Sequence, residues 1–213
     1  LGLTSAPPDV NQGTYRFVAS EPRTVVYGLG AVKGLGEGAI QNLVEERDKA
    51  GAFDDLFDLC RRIDTRRLNK RALEALVGAG ALDSLVADDE LKAMPAADQT
   101  DQQRAYLDAH LEQAVQVAEQ ESRNAEGGLS DLFGDLAVDA KHQRDNAALG
   151  NVQPLSMQKR LSREKDALGL YLTGHPIDVY RDEMRHLAGS QISELRPRDG
   201  EQRFAGWVIG LRS

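Results

Sequence analysis

The sequence predicts a mainly α-helical fold: a tandem helix-hairpin-helix domain with a short β element at its N-terminus and a single strand at its C-terminus. Apolar residues recur three and four positions apart through much of the chain, which is typical of amphipathic helices. Two Gly-X-Gly turns, Gly34-Leu35-Gly36 and Gly78-Ala79-Gly80, interrupt these segments. The 213 residues, 41% of them hydrophobic, are enough to bury a core.

The N-terminal residues favour a β-hairpin. Two runs rich in β-branched and aromatic residues, Tyr15–Val18 and Thr24–Tyr27, flank the turn sequence Ser20-Glu21-Pro22. Because two short strands do not form a stable sheet alone, we expect residues 1–27 to pair with another domain.

Three helices are expected within residues 28–87, a region that several glycines interrupt. The first runs from about Glu37 to Ala50, and Gly51 ends it because glycine accepts a left-handed conformation. A short helix follows near 55–60, with Asp54-Asp55 as its N-terminal cap. The third helix covers about 65–77 and leads into the second glycine turn.

Five elements are expected in the rest of the chain. The elements are a loop over 88–103, a long helix over 104–124, a helix over 154–172, a short helix over 179–187 and a strand over 203–211. The helix over 154–172 is expected to end before Pro176, because the residue before a proline disfavours the helical conformation.

The formal charge of −8 is unevenly distributed. Residues 81–150 contain 5 basic and 15 acidic residues, whereas residues 23–80 contain 10 basic and 9 acidic residues. The acidic balance therefore does not exclude a nucleic-acid partner for the region 23–80.

Several function classes find no support in the sequence. No apolar run has the roughly 18–20 residues of a membrane span, and no signal peptide is visible after Leu1. The single cysteine, Cys60, cannot form an internal disulfide, so a reducing cytoplasm is the expected compartment. The four histidines lack metal-ligand spacing. The pairs Asp54-Asp55 and Asp88-Asp89 are adjacent in sequence, so their side chains are not expected to converge on catalytic ions.

The glycine turns are candidate phosphate-binding sites. Glycine lets the backbone approach a phosphate closely, and the first N–H groups of the following helix lack intrahelical partners. The helix dipole and Lys33 add positive charge. The alternative is that these glycines only cap helices and allow close packing. The predicted DNA-binding residues here are Lys33, Gly34, Gly36, Gly38, Gly78 and Gly80.

A basic run between the turns is the second candidate. It contains Arg61, Arg62, Arg66, Arg67, Lys70 and Arg71. Three of these residues, Arg67, Lys70 and Arg71, share a helix face, so they could follow a duplex backbone. We therefore add Arg62, Arg66, Arg67, Lys70 and Arg71 to the predicted DNA-binding set. The alternative is a solvated face that pairs with acidic residues such as Glu74.

An apolar island in a polar stretch is the third candidate. Leu129-Ser130-Asp131-Leu132-Phe133 has the composition of a short linear segment that docks into a partner's pocket. The alternative is packing of this segment against the preceding long helix.

Several blocks, in one order, resemble the alpha subunits of bacterial DNA polymerase III, the replicative polymerases of the C family. The resemblance covers nearly the whole chain. The blocks are Pro7–Asn11, Tyr27–Gly38, Gly51–Phe53, Leu56–Cys60, Leu68–Arg71, Gly80–Asp83 and Leu168–Pro176.

The resemblance implies an order of domains. It implies that 1–27 close the fingers domain, that 28–124 bind duplex DNA as a tandem helix-hairpin-helix domain, and that 125–153 link to the sliding clamp. Residues 154–200 would be a helical connector, and 201–213, with Trp207, the truncated start of an OB-fold domain. The chain would thus be cut through other domains at both ends.

The resemblance also implies partners and limits. Leu129, Asp131, Leu132 and Phe133 resemble the family's clamp-binding motif, which usually begins with Gln; Leu129 is a departure that removes the expected amide contact. Expected partners are duplex DNA, the sliding clamp and the rest of the holoenzyme, without a membrane. The family's catalytic aspartates and their Mg²⁺ would lie upstream of Leu1, so this chain would be inactive alone and hold no cofactor.

The predicted function is sequence-independent duplex binding with clamp tethering, inside a DNA-directed DNA polymerase of the bacterial cytoplasm. One alternative is a helical protein-interaction adaptor that acts through Leu132-Phe133 while the glycine turns only pack. A helix-hairpin-helix module of a repair enzyme is a second alternative, and the blocks beyond Asp83 count against it. The third is the same region of an error-prone C-family polymerase.

Overall fold

The computed structural model describes residues 2, 4–86, 91, 94–126 and 152–188, and a few positions beyond: 196–197, 200–201, 203, 205–206 and 208. The chain forms two compact units, Leu1–Thr173 and Gly174–Ser213. The clamp-like residues 129–133 lie outside the described residues. Four positions of the predicted strand 203–211 are described, and none of these four is in a strand.

The N-terminal hairpin is confirmed, with a third strand that the sequence did not predict. Strands β1 (Thr4–Ala6), β2 (Val18–Glu21) and β3 (Thr24–Val26) form a sheet in the order β1-β3-β2. β1 pairs with β3 in parallel, and β2 pairs with β3 antiparallel with an irregularity between Ala19 and Glu21. β2 begins three residues later than expected, because the carbonyls of residues 14 and 15 accept hydrogen bonds from the N–H groups of residues 29 and 30.

The first helices follow the local sequence signals. A short 3-10 helix (Leu29–Ala31) leads to α1 (Glu37–Ala50), whose bounds match the prediction. Gly51 follows α1 with the positive φ of 86° that was expected, but its ψ of 177° is extended rather than left-handed helical. α2 (Leu56–Arg62) begins after Asp55, whose side chain accepts the N–H of Asp58 as the predicted cap.

α3 (Lys70–Ala79) begins five residues later than predicted. The Asn69 side chain accepts the N–H of Ala72 and fixes the helix start, while the Asp64 side chain holds the preceding residues in a turn by accepting the N–H of Arg66. α3 ends at Gly80, which has the left-handed conformation with φ 81° and ψ 12°. A 3-10 helix (Asp83–Leu85) follows.

The later helices differ from the predicted ones at their ends. α4 (Ala96–Glu126) begins eight residues earlier than expected, directly after Pro95, which is well tolerated at a helix start. α5 (Met157–Leu168) is shorter, because Ser156 caps its start and Gly169 ends it with φ 84°. Pro176 thus does not end α5; it begins a 3-10 helix (Pro176–Tyr180), which α6 (Arg181–Leu187) follows.

The core lies among α1 to α5 in the first unit. α4 packs against α2 and α3, and α5 packs against α3. Hydrogen bonds join the loop between β1 and β2 to this core. Asn11 exchanges two hydrogen bonds with the backbone of Phe53, and Arg47 donates to the carbonyl of Gly13. The fully buried apolar side chains include Leu29, Ile40, Leu43, Leu56, Leu59, Leu73, Leu76, Leu82 and Leu107.

A buried ionic network joins α4, α5 and the turn after α3. Arg104 is 1% exposed and donates to both carboxylate oxygens of Asp83 and, at 2.8 Å, to Glu164. Burial raises the pKa of Asp83 to about 6, against the opposing effect of Arg104. Burial also acts to raise the pKa of Glu164, but hydrogen bonds from Thr173, Leu172 and Arg104 outweigh it and lower that pKa. A second buried arginine, Arg160, donates to Asp101 at 2.7 Å.

Candidate nucleic-acid interface

The first glycine turn lies on the surface at the start of α1. Gly34 has a φ of 84°, and Gly36 is the N-cap residue of α1 without a side-chain cap. Gly34, Gly36 and Gly38 are exposed, and a methyl group added to any of them would meet no atom within 4 Å. Open space therefore lies in front of this turn at the N-terminus of α1, where the helix dipole favours an anion.

The element before this turn is the three-residue 3-10 helix, not an α-helix as the motif predicted. The end of α5 also contacts the residue before the turn. The N–H of Lys33 donates to the carbonyl of Ala167 at 2.8 Å, and Lys33 Nζ lies 3.4 Å from the carbonyl oxygen of Lys165. The Lys33 side chain remains exposed beside Gly34.

A cleft of about 720 Å³ opens beside the turn, between α3 and α5. Its charged side chains are basic at three positions and acidic at two, so it presents a small excess of positive charge next to the α1 N-terminus. Arg163, one of the three cations, is an α5 residue that also pairs with Asp108 of α4. The charged lining residues are Lys33, Arg71, Arg163, Glu74 and Asp166.

The second glycine turn has a different role. Gly78 is buried inside α3 and faces α5, where a methyl group would be in contact with the Arg163 oxygen at 3.4 Å. Gly80 is also buried, and its N–H is bonded to carbonyls of the last turn of α3. Gly78 and Gly80 therefore serve close packing and helix capping, and their N–H groups are not presented to a phosphate.

Arg62 is likewise bound to the protein itself. Its guanidinium donates to the carbonyls of Glu46 and Gly51 and to Asp58, and it stacks over the Phe53 ring at 4.4 Å. These contacts join the end of α1 to α2. The prediction that Arg62 binds DNA is corrected, because its guanidinium is bonded to the protein itself.

The other basic residues of the run lie on the surface in two groups. Arg66 and Arg67 precede α3, since the helix begins only at Lys70, so Arg67 does not share a helix face with Lys70 and Arg71 as predicted. Lys70 Nζ lies 3.0 Å from Glu112 of α4, and Arg67 lies 3.5 Å from Asp64. Arg71 is exposed and lines the cleft.

Sequence reasoning missed the cleft residue Arg163. Its neighbours are distant in sequence, and the local pattern of α5 gave no signal that this helix returns to the first glycine turn. Leu129, Asp131, Leu132 and Phe133 lie outside the described residues. Within the described part of the chain, no helix has the length and apolar character to cross a membrane. No cluster of three or more metal-ligating side chains occurs among residues with a described position.

Comparison of the sequence with known proteins identifies its relatives. A model described as a helix-hairpin-helix motif matches residues 2–91, which include both glycine turns. A DNA polymerase III subunit alpha of Pseudomonas aeruginosa is 48% identical over the whole chain. The chain belongs to the DNA polymerase III alpha subunit family.

Other members of the family match over similar lengths. The DNA polymerase III subunit alpha of Pseudomonas fluorescens is 45% identical over 96% of the chain, and that of Escherichia coli K12 is 38% identical over 100% of it. The chain spans only 17–18% of the length of these relatives.

Proposed function

We propose that this chain grips the phosphate backbone of duplex DNA as part of a polymerase III alpha subunit. The observation that carries the proposal is the open turn Gly34–Gly38, which is exposed at the N-terminus of α1 inside the helix-hairpin-helix match. Backbone N–H groups there suit a phosphate oxygen and read no base, so the binding is independent of sequence.

The surrounding charges support the same ligand. Lys33 lies beside the turn, and Arg71 lines the adjoining cleft. Arg66, Arg67 and Lys70 add positive charge on the surface before and at the start of α3. Acidic side chains are also present there, with Glu37 in the first turn of α1 and Glu74 and Asp166 in the cleft. The net acidic balance of the chain belongs to residues 81–150.

The direct test is a titration of fluorescently labelled duplex DNA with the chain, followed by anisotropy at several salt concentrations. We expect affinity to fall steeply between roughly 50 and 200 mM salt and to be similar for two unrelated duplex sequences. Undetectable binding at low salt, or affinity that does not change with salt, refutes the proposal.

Two variants locate the contact. Gly36→Leu places a bulky side chain in the open space of the turn and is expected to lower duplex affinity. Lys33→Ala removes one charge and is expected to lower the salt slope by about 1. The matched controls are Gly206→Leu, where an added side chain also meets open space, and Lys49→Ala at the other end of α1. Equal losses in variants and controls contradict the assignment.

We further propose that Leu129, Asp131, Leu132 and Phe133 tether the polymerase to the sliding clamp. One observation favours this role: among the α4 (Ala96–Glu126) side chains whose burial is described, Ala118 is the last buried one, so the following residues extend beyond the core toward residue 129. A pull-down of the clamp tests it. Phe133→Ala should weaken capture, and Leu129→Gln should strengthen it by restoring the family's amide; no capture by either wild type or Leu129→Gln refutes the tether.

The whole protein that contains this segment is proposed to be a DNA-directed DNA polymerase, acting in the bacterial cytoplasm with the other holoenzyme subunits. Its Mg²⁺-dependent nucleotidyl transfer is assigned to residues outside this chain. A primer-extension assay tests that division: the chain alone should add no nucleotide, and measurable extension would overturn it.

A further inference from the structure

We propose that α5 and Gly169 are the positioning element of the DNA grip, so that the grip is completed by residues far beyond the helix-hairpin-helix match. This inference rests on the proposed DNA binding by the Gly34–Gly38 turn. It assigns the residues that hold the turn in place, which are separate from the groups that contact the phosphate.

The first step is the contact itself. The Lys33 N–H, one residue before the turn, donates to the Ala167 carbonyl at 2.8 Å. Lys33 Nζ lies 3.4 Å from the Lys165 oxygen, and the Lys33 side chain passes within 3.5–3.6 Å of the position a Gly169 Cβ would occupy. The C-terminal carbonyls of α5 thus hold the residue that enters the glycine turn.

The second step is the need for such support. A helix-hairpin-helix turn is normally fixed by a helix on each side, but only a three-residue 3-10 helix precedes this one. Gly34 also adopts a φ of 84° and has no neighbouring side chain within 4 Å of its Cβ position. Leu29 and Val32 are buried and fix the chain before the turn. The hydrogen bond from Lys33 to α5 is the contact that holds the residue directly before Gly34.

The third step is the anchoring of α5. α5 lies against α3 at Gly78, where a Cβ would be 3.4 Å from the Arg163 oxygen and 3.7 Å from the Ala167 Cβ. Arg104 of α4 also reaches Glu164 of α5 at 2.8 Å. Because α5 is fixed on two sides, its terminal carbonyls have a defined position relative to the turn.

The experiment compares Gly78→Leu with the control Gly206→Leu in the full chain. A Cβ at position 78 would already contact Arg163 and Ala167 of α5, so we expect the further atoms of a leucine to push α5 away from α3, whereas position 206 meets open space. Circular dichroism and urea unfolding establish that each variant is folded. Hydrogen exchange then reports the protection of the Lys33 amide, and anisotropy reports duplex affinity and its salt slope.

We expect Gly78→Leu to lose Lys33 protection and about tenfold in duplex affinity, equal to about 1.4 kcal/mol, while Gly206→Leu matches the wild type. If Gly78→Leu does not fold, Gly169→Val serves instead, since a β-branched residue at φ 84° strains the end of α5 beside Lys33. The same losses are expected from it.

The outcomes separate the two proposals. Lost Lys33 protection with unchanged duplex affinity overturns the positioning role and leaves DNA binding standing. Retained Lys33 protection in a folded variant whose α5 is displaced also overturns it. A wild-type chain that binds no duplex at low salt refutes the DNA grip, and with it the inference.

Discussion

Substituting Gly80 by alanine should strongly destabilise the first unit, because this glycine is required for two separate reasons. Its φ of 81° is a left-handed conformation that costs other residues about 1–2 kcal/mol. A methyl group there would also overlap Arg104 Nη2 and lie 3.0 Å from Arg104 Cζ and from Asp83 Oδ2.

The second effect is the larger one. Arg104 is 1% exposed, so it has no room to move away, and the methyl group would separate it from Asp83. Breaking a buried ion pair costs about 3–5 kcal/mol. Together with the backbone strain, the loss of unfolding free energy should be about 4 kcal/mol or more, a large share of the roughly 5–15 kcal/mol typical of a domain.

Urea unfolding followed by circular dichroism measures this loss. With an m value of about 2 kcal/mol/M, the midpoint should fall by about 2 M or more. Gly38→Ala is the matched control, since it lies in the first turn of α1 with open space around it and should be neutral or stabilising by up to about 1 kcal/mol. A loss below about 1 kcal/mol for Gly80→Ala would refute the reasoning.

Three further predictions concern buried or partly buried groups. Burial raises the pKa of the Cys60 thiol to about 12, so at pH 8 a thiol reagent should label it only after urea unfolding; rapid labelling of the folded chain contradicts this. Arg62→Ala should lower the free energy of unfolding in urea by about 2–4 kcal/mol and leave the salt slope of DNA binding unchanged. A lower slope would mean that Arg62 does contact DNA. The pKa of Glu164 is lowered in the folded chain, so its contribution is complete above about pH 4.5 and is lost as the pH falls further. Glu164→Gln should therefore lose less stability than the wild type between pH 5 and 3, and parallel losses would show that Glu164 does not titrate there.

The parts of the fold that could be read from sequence are those fixed by neighbouring residues. α1 was predicted with its observed bounds because an apolar stripe and Gly51 define it locally. The cap by Asp55 was predicted for the same reason. Before α3, both Asp64 and Asn69 can accept backbone N–H groups at a helix start. Asn69 is the residue that caps the helix, so Arg67 lies before α3 and not in it.

The candidate site was predictable only in part. The exposed turn Gly34–Gly38 follows from its glycines, but the same Gly-X-Gly pattern at Gly78–Gly80 is buried because α4 and α5 pack around it. A charge run likewise does not reveal which guanidinium turns inward, and Arg62 does so because it can reach three backbone carbonyls and Phe53. Such contacts depend on tertiary packing that no local pattern encodes.

The bond between the glycine turn and α5 also has a consequence for the order of events during synthesis. Lys33 and Lys165 are 132 positions apart, which corresponds to roughly 7–26 s at a translation rate of roughly 5–20 residues per second. During that interval the nascent chain carries the turn without its support. A ribosome stalled before α5 has emerged would therefore display α1 to α4 with an unsupported turn, and the ability to hold DNA should arise late, in one step, as α5 reaches α3.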